Sequence, residues 1–179
     1  DDGAAVSVGA ARVDTSQVAQ GYLGVKISDA GTFKVRLEKD ETYTYDLSSD
    51  GTPNYYPLQM GDGTYRLTVY RNVTGNKYST EGTKNIDVKL DNEFQPFMHP
   101  NVFSSYGERS AAVAQAQSLC AGLSTDTEKV SVIYQWLSKT IQYDYDFAKN
   151  PGDGYVPDPD RTLSTKKGIC FDYASLAAA

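Results

Sequence analysis

The chain is 179 residues long, with 40% hydrophobic and 22% charged residues, the proportions of a folded globular protein rather than a disordered one. A net charge of −6 without any basic stripe excludes a nucleic-acid partner, because gripping phosphates needs clustered Lys and Arg. No apolar run reaches the roughly eighteen residues that span a bilayer, so no transmembrane segment is expected, and the length admits one domain or two small ones.

In chain order, residues 1 to about 17 are small and polar without a sustained period and read as a frayed or loosely docked segment. From there to Leu90 the period is two. Leu23, Val25 and Ile27 alternate with polar residues, as do Phe33, Val35 and Leu37, then Tyr43, Tyr45 and Leu47, then Tyr65, Leu67 and Val69, then Ile86, Val88 and Leu90. Turn chemistry separates these runs at Asp29-Ala30-Gly31, Ser49-Asp50-Gly51, Gly61-Asp62-Gly63 and Thr74-Gly75-Asn76. Five to seven short antiparallel strands, each with one apolar face, must close face to face, which predicts an immunoglobulin-like β-sandwich over residues 1–93. Tyr55, Tyr56, Tyr65, Tyr70 and Tyr78 read as ordinary strand chemistry, with an aromatic platform for carbohydrate or a protein as the alternative.

Pro96, His99 and Pro100 fall in a stretch, 94–107, that breaks both helix and ladder and reads as a linker. The period then changes. A helix is expected from about Ser110 to Gly122, and a second is signalled by Thr125 and Glu128, a capping box, with Val130, Ile133, Tyr134, Leu137 and Ile141 as its buried stripe and Trp136 beside it. Tyr143 to Arg161 reads as a loop rich in Asp, Gly and Pro. Its Asp144, Asp146, Asp153, Asp158 and Asp160 are hard oxygen donors, but their spacing matches no EF-hand and favours a solvated loop, so neither metal nor cofactor is expected.

The last stretch carries the chemistry. From Cys170 onward the residues look helical, and a thiol at a helix N-terminus meets unpaired backbone N–H groups and the positive end of the dipole, which favour the nucleophilic thiolate. Gly168 is read as allowing close approach of a substrate, with the Cys170 N–H available to a developing oxyanion. The bland reading is a small buried core cysteine. A bridge from Cys170 to Cys120, the other cysteine, is a further alternative, disfavoured by the surroundings of Cys170.

The string Lys167-Gly168-Ile169-Cys170-Phe171-Asp172-Tyr173-Ala174, preceded by the Trp136 helix and by Ile141-Gln142-Tyr143-Asp144-Tyr145, resembles the transglutaminase-like superfamily, whose papain-like core starts its nucleophile helix on such a segment. The β-module resembles, more loosely, the N-terminal domains of exported bacterial members. The resemblance implies an α+β protein whose residues 108–179 are the helical opening part of a transglutaminase-like domain. It implies Cys170 as the catalytic nucleophile and a helix-supporting place for Asp172, Tyr173 and Ala174.

The family's His and Asp or Asn lie downstream of the cysteine, and this sequence ends nine residues after Cys170, its one histidine being His99 upstream. The resemblance therefore implies a chain truncated after the nucleophile helix, inactive alone and open to self-association through uncovered helix faces. The intact protein is expected to be a cysteine acyltransferase, peptidase or amidase acting on protein or peptide substrates at the cell surface. An exported location fits a sequence that starts at Asp1 rather than Met and has fourteen Tyr against one Trp. The alternative is a non-catalytic surface protein whose β-module binds a cell-wall component while the second part is a scaffold.

Overall fold

The computed structural model describes residues 4–179. They divide into two compact units, one ending at Asn101 and the other running Val102–Ala179.

The first unit is built from β1 (Ala5–Val8), β2 (Ala11–Asp14), β3 (Tyr22–Lys26), β4 (Phe33–Glu38), β5 (Thr42–Leu47), β6 (Asn54–Pro57), β7 (Gly63–Thr74) and β8 (Lys77–Val88). One sheet has the order β1-β2-β3-β6 and the other β5-β4-β7-β8, with every pairing antiparallel. Taking β2 to β8 as strands A, B, C, C′, E, F and G, the sheets are A-B-E and C′-C-F-G, an immunoglobulin-like order with β1 added beyond A. The alternating residues of both sheets fill the space between them: Leu23, Val25, Phe33, Val35, Leu67 and Val69 are all fully buried. Each such side chain contributes on the order of 1.5–3 kcal/mol relative to exposure.

Tyr65, at the start of β7, supplies a second hallmark of the fold. Its hydroxyl donates to the Leu58 carbonyl at 2.8 Å, lies 3.0 Å from that of Gly61 and accepts from the Met60 N–H at 2.7 Å, pinning the corner between β6 and β7. Tyr56 donates from β6 to the Asp46 carbonyl of the facing sheet at 2.8 Å. Tyr56 and Tyr65 are fully buried, so the aromatic platform that counted them is excluded for these two.

The N-terminal segment departs from its sequence reading. The part at residues 1–3 lies outside the described residues, but residues 5–14 form a hairpin instead of fraying. Val8, Ala11 and Val13 are buried, Gly9 turns at φ +59°, and its backbone abuts Glu81 and Gly82 of β8. Two four-residue strands with small side chains make too short a run for alternation to reveal them. β6 was hidden likewise, with Pro53 before it and Pro57 as its last residue, and among the described residues of this unit the strands number eight rather than five to seven.

The second unit contains α1 (Ala111–Cys120), α2 (Asp126–Thr140), β9 (Gln142–Tyr143), α3 (Tyr145–Ala148), α4 (Pro159–Thr165), β10 (Lys167–Gly168) and α5 (Cys170–Ala178). The chain is thus of the α+β class, antiparallel sheets followed by helices. The capping box of α2 is formed: Thr125 Oγ1 accepts from Glu128 N–H at 3.3 Å and the Glu128 carboxylate accepts from Thr125 N–H at 3.0 Å. Ala112, Leu137, Ile141 and Leu176 form the core, with Ile133, Trp136, Leu163 and Tyr173 packed against it.

Two expectations fail here. Val130 and Tyr134 are 67% and 70% exposed, because the helices packed on α2 cover the Ile133 and Trp136 side of its stripe and leave the opposite edge bare. The supposed loop from Tyr143 to Arg161 contains α3 and the start of α4. Its carboxylates serve as helix caps: Asp144 accepts from Phe147 N–H, Asp158 from Arg161 N–H, and Asp160 from the N–H groups of Ala111 and Ala112 at the start of α1. Among the described residues no helix is long and apolar enough to cross a membrane.

Candidate active site around Cys170

The site begins with backbone. β9 and β10 pair in parallel, Gln142 with Lys167 and Tyr143 with Gly168. The Gln142 N–H donates to Lys166 O at 2.8 Å and the Asp144 N–H to Gly168 O at 2.9 Å, which fastens the end of α2 to the segment entering α5. Lys166 leaves α4 in the left-handed region, φ 53°. An ion pair between Lys167 and Asp144 at 3.0 Å flanks the ladder. That lysine and the Phe147 N–H, the larger cause, hold the Asp144 carboxyl below its ordinary value.

Ile169, extended at φ −98° and ψ 178°, is the N-cap of α5, so Cys170 is the first helical residue. Its side chain is exposed and its thiol is free, as is the thiol of Cys120. The buried-core reading and the disulfide reading of Cys170 are both excluded. An N–H at this position has no acceptor within its own helix.

Beneath the cysteine sits a buried carboxylate. Asp172 is 1% exposed. One oxygen accepts from the Ile169 N–H at 2.9 Å. The other accepts from the Tyr155 hydroxyl and has the Arg161 guanidinium at 3.4 Å and the Thr162 hydroxyl at 3.5 Å. Arg161 also donates to the Tyr155 oxygen and lies over its ring, 5.2 Å from the centroid, while Phe147 meets that ring edge-on at 4.9 Å. Burial, then the bond to Asp172, raises the Tyr155 phenol above its ordinary value.

Gly168 turns out to serve this carboxylate. A Cβ there would stand 2.6 Å from Asp172 Cβ and 2.9 Å from its Oδ2, so the room expected for a substrate is filled by Asp172. Tyr173 donates its hydroxyl to the Ile141 carbonyl, and burial raises its phenol. Its ring stands 6.3 Å from that of Tyr143, which lies 4.9 Å from Tyr145. Ala174 is exposed on α5.

His99 belongs to the other unit, with its ring 4.9 Å from Tyr22 and Nε2 3.3 Å from Gln95 Oε1. Among the described residues no group of three or more His, Cys, Asp or Glu is arranged to hold a metal ion. Tyr155, Arg161 and Thr162 were missed in the sequence. One signal was present: Asp158-Pro159 is an N-cap followed by proline at the first helical position, which marks α4 and so places Arg161 and Thr162 on a helix.

Residues 113–179 match the family model of the transglutaminase-like superfamily. Among curated proteins, the chain is 30% identical over 93 residues to the UPF0252 protein MJ1282 of Methanocaldococcus jannaschii, a match covering 48% of this chain and 25% of the relative. The chain thus spans about a quarter of the length of that relative. No solved structure matches the chain. With the expected cysteine segment opening α5 and the family model covering the helices that lead to it, residues 113–179 are similar to the core of the transglutaminase-like superfamily.

Proposed function

We propose that the protein is a cysteine acyltransferase or amidase in which Cys170 attacks amide bonds of protein or peptide substrates outside the cytoplasm. The observation that carries this reading is an exposed, unbridged thiol at the first position of α5, within the segment that matches the superfamily. The Cys170 sulfur forms a bond to the substrate carbonyl carbon, and the resulting oxyanion takes hydrogen bonds from free N–H groups at the helix start. The C–N bond then breaks and the amine departs with a proton delivered by a general acid. Water or a second amine attacks the thioester, the S–C bond breaks, and the acid or new amide leaves.

The proton-handling base is not His99, which is engaged with Gln95 and Tyr22 in the β-unit. The 179-residue chain alone is therefore expected to lack turnover, with the base and its orienting partner contributed by polypeptide outside it.

The test uses the full-length protein with fluorogenic peptide amides. Wild type should turn over and trap an acyl adduct on the peptide containing Cys170, visible by mass spectrometry. Cys170→Ala should lose at least about a thousandfold in rate and show no adduct. Turnover that survives the substitution rejects the reading and leaves the wall-binding role of the β-unit in its place.

A further inference from the structure

We infer that Asp172 is a positioning residue that sets the presentation of Cys170, and that Tyr155 and Arg161 are the clasp that holds it in place. The inference rests on the nucleophile reading of Cys170 and adds the residues that aim it.

Asp172 stands two residues past Cys170 on α5, and its carboxylate turns back under the helix start. One oxygen holds the N–H of Ile169, the residue immediately before the nucleophile. An N-cap residue with an aliphatic side chain offers no oxygen to the helix, so this reach-back bond is what fixes the entry angle of the chain. The second oxygen is gripped from two other elements: Tyr155, in the stretch between α3 and α4, and Arg161, in α4, while the Thr162 hydroxyl, which donates to the Asp158 carbonyl, lies 3.5 Å away. A carboxylate this deeply buried carries a large desolvation cost unless each oxygen is met by donors, and here each is.

The direction of the carboxylate is enforced by Gly168. Any side chain there would strike Asp172 Cβ at 2.6 Å, so the glycine and the aspartate fit only as a pair. With the backbone just before it held twice, by the ladder at Gly168 and by Asp172 at Ile169, and with α5 following it, Cys170 has one orientation of its Cα–Cβ bond to offer. A displacement of about 1 Å at a reacting atom is enough to cost orders of magnitude in rate.

The test reads Cys170 against an internal standard. Trypsin cuts after Arg109, Lys129 and Lys167, which places Cys120 and Cys170 on separate peptides of the same molecule. Iodoacetamide labelling of the folded 179-residue chain, followed by mass spectrometry, gives the ratio of the two rates directly. Wild type should label Cys170 faster than Cys120 by about tenfold or more, with the ratio collapsing towards one in denaturant.

Asp172→Asn should cut the folded ratio by about tenfold while the rate at Cys120 stays put, and Tyr155→Phe, which removes one oxygen, by about threefold. Gly168→Ala should reproduce the Asp172 phenotype with the carboxylate still present. Circular dichroism at the labelling temperature identifies which variants are folded, and Tyr155→Phe carries the test if the others are not. A merely structural role would change both cysteines or neither. If wild type labels Cys170 no faster than Cys120, the nucleophile reading and this inference fall together. If wild type shows the preference and the folded variants keep it, the positioning inference alone is overturned.

Discussion

Single side chains decide both units, and the clearest case in the β-unit is Tyr65. Its hydroxyl serves three backbone groups at one corner, and burial pushes its phenol up to about 12. Tyr45 is likewise pushed up to about 12 by burial. Folding thus disfavours the phenolate, so both residues contribute their full stabilisation below the free-tyrosine value of about 10 and lose it as pH climbs towards 12. Urea titrations should show stability falling over that interval. Tyr65→Phe should already be weaker at pH 7 by about 1–3 kcal/mol, because Met60 N–H loses its acceptor, and should show a shallower alkaline decline. Unchanged midpoints in this variant would remove Tyr65 from the corner.

The same scale shows how far reading residues in order can reach. The place of Cys170 at the start of a helix was legible because a thiol, a preceding glycine and a helix signal are contiguous in the chain. Asp172 was visible only as a helix-supporting position. Tyr155 and Arg161 reach it from 17 and 11 residues away, through a segment without periodicity. Gly168 does permit a close approach, but by Asp172 and not by a substrate, since which group fills the space beside a glycine depends on how the following helix turns back.

At the level of elements, legibility followed the length of the pattern. β3, β4, β5, β7 and the capped α2 each offered enough turns or alternations to be recognised, whereas β1, β2, β6 and α3 are four residues long and offered too few. The amphipathic stripe of α2 was correct in phase, but periodicity names candidates for burial and not the neighbours that cover them, which is why Val130 and Tyr134 stand bare.

The β1–β2 hairpin is held where backbone meets backbone. β8 carries a bulge at Glu81, with Val69 opposite Gly82 and Tyr70 opposite Thr80. At that point a Cβ on Gly82 would lie 2.6 Å from the Gly9 nitrogen. Gly82→Ala should therefore destabilise the β-unit by about 1–3 kcal/mol and raise hydrogen exchange across residues 5–14 first. Uniform exchange throughout the unit would show that the hairpin does not depend on this approach.

On the scale of the molecule, two interiors of different kinds share one chain. The first is sheet against sheet, closed by Leu23, Phe33, Leu67 and their neighbours, and the second is a small helical cluster around Leu137, Ile141 and Leu176. An interior filled from both of its own sheets predicts that residues 4–101, produced alone, unfold in a single cooperative step in calorimetry. A broad, uncooperative melt of that piece would contradict the assignment. Composition told this division only as a change of period, from two to about 3.6.

The two-residue ladder between β9 and β10 turns residues 144–166 into a ring whose neck is fastened by main-chain bonds. Closing such a ring costs only about 0.6 kcal/mol more each time its length doubles. A side-chain carbon added at Gly152 on its rim would meet nothing within 4 Å and Gly152 to Gly154 are exposed, while Tyr155 is the first residue clasped to the helix below. Insertions or grafts at that rim are thus thermodynamically cheap and leave the neck unaltered, which makes it the place where evolution or an engineer can add sequence without rebuilding the start of the Cys170 helix.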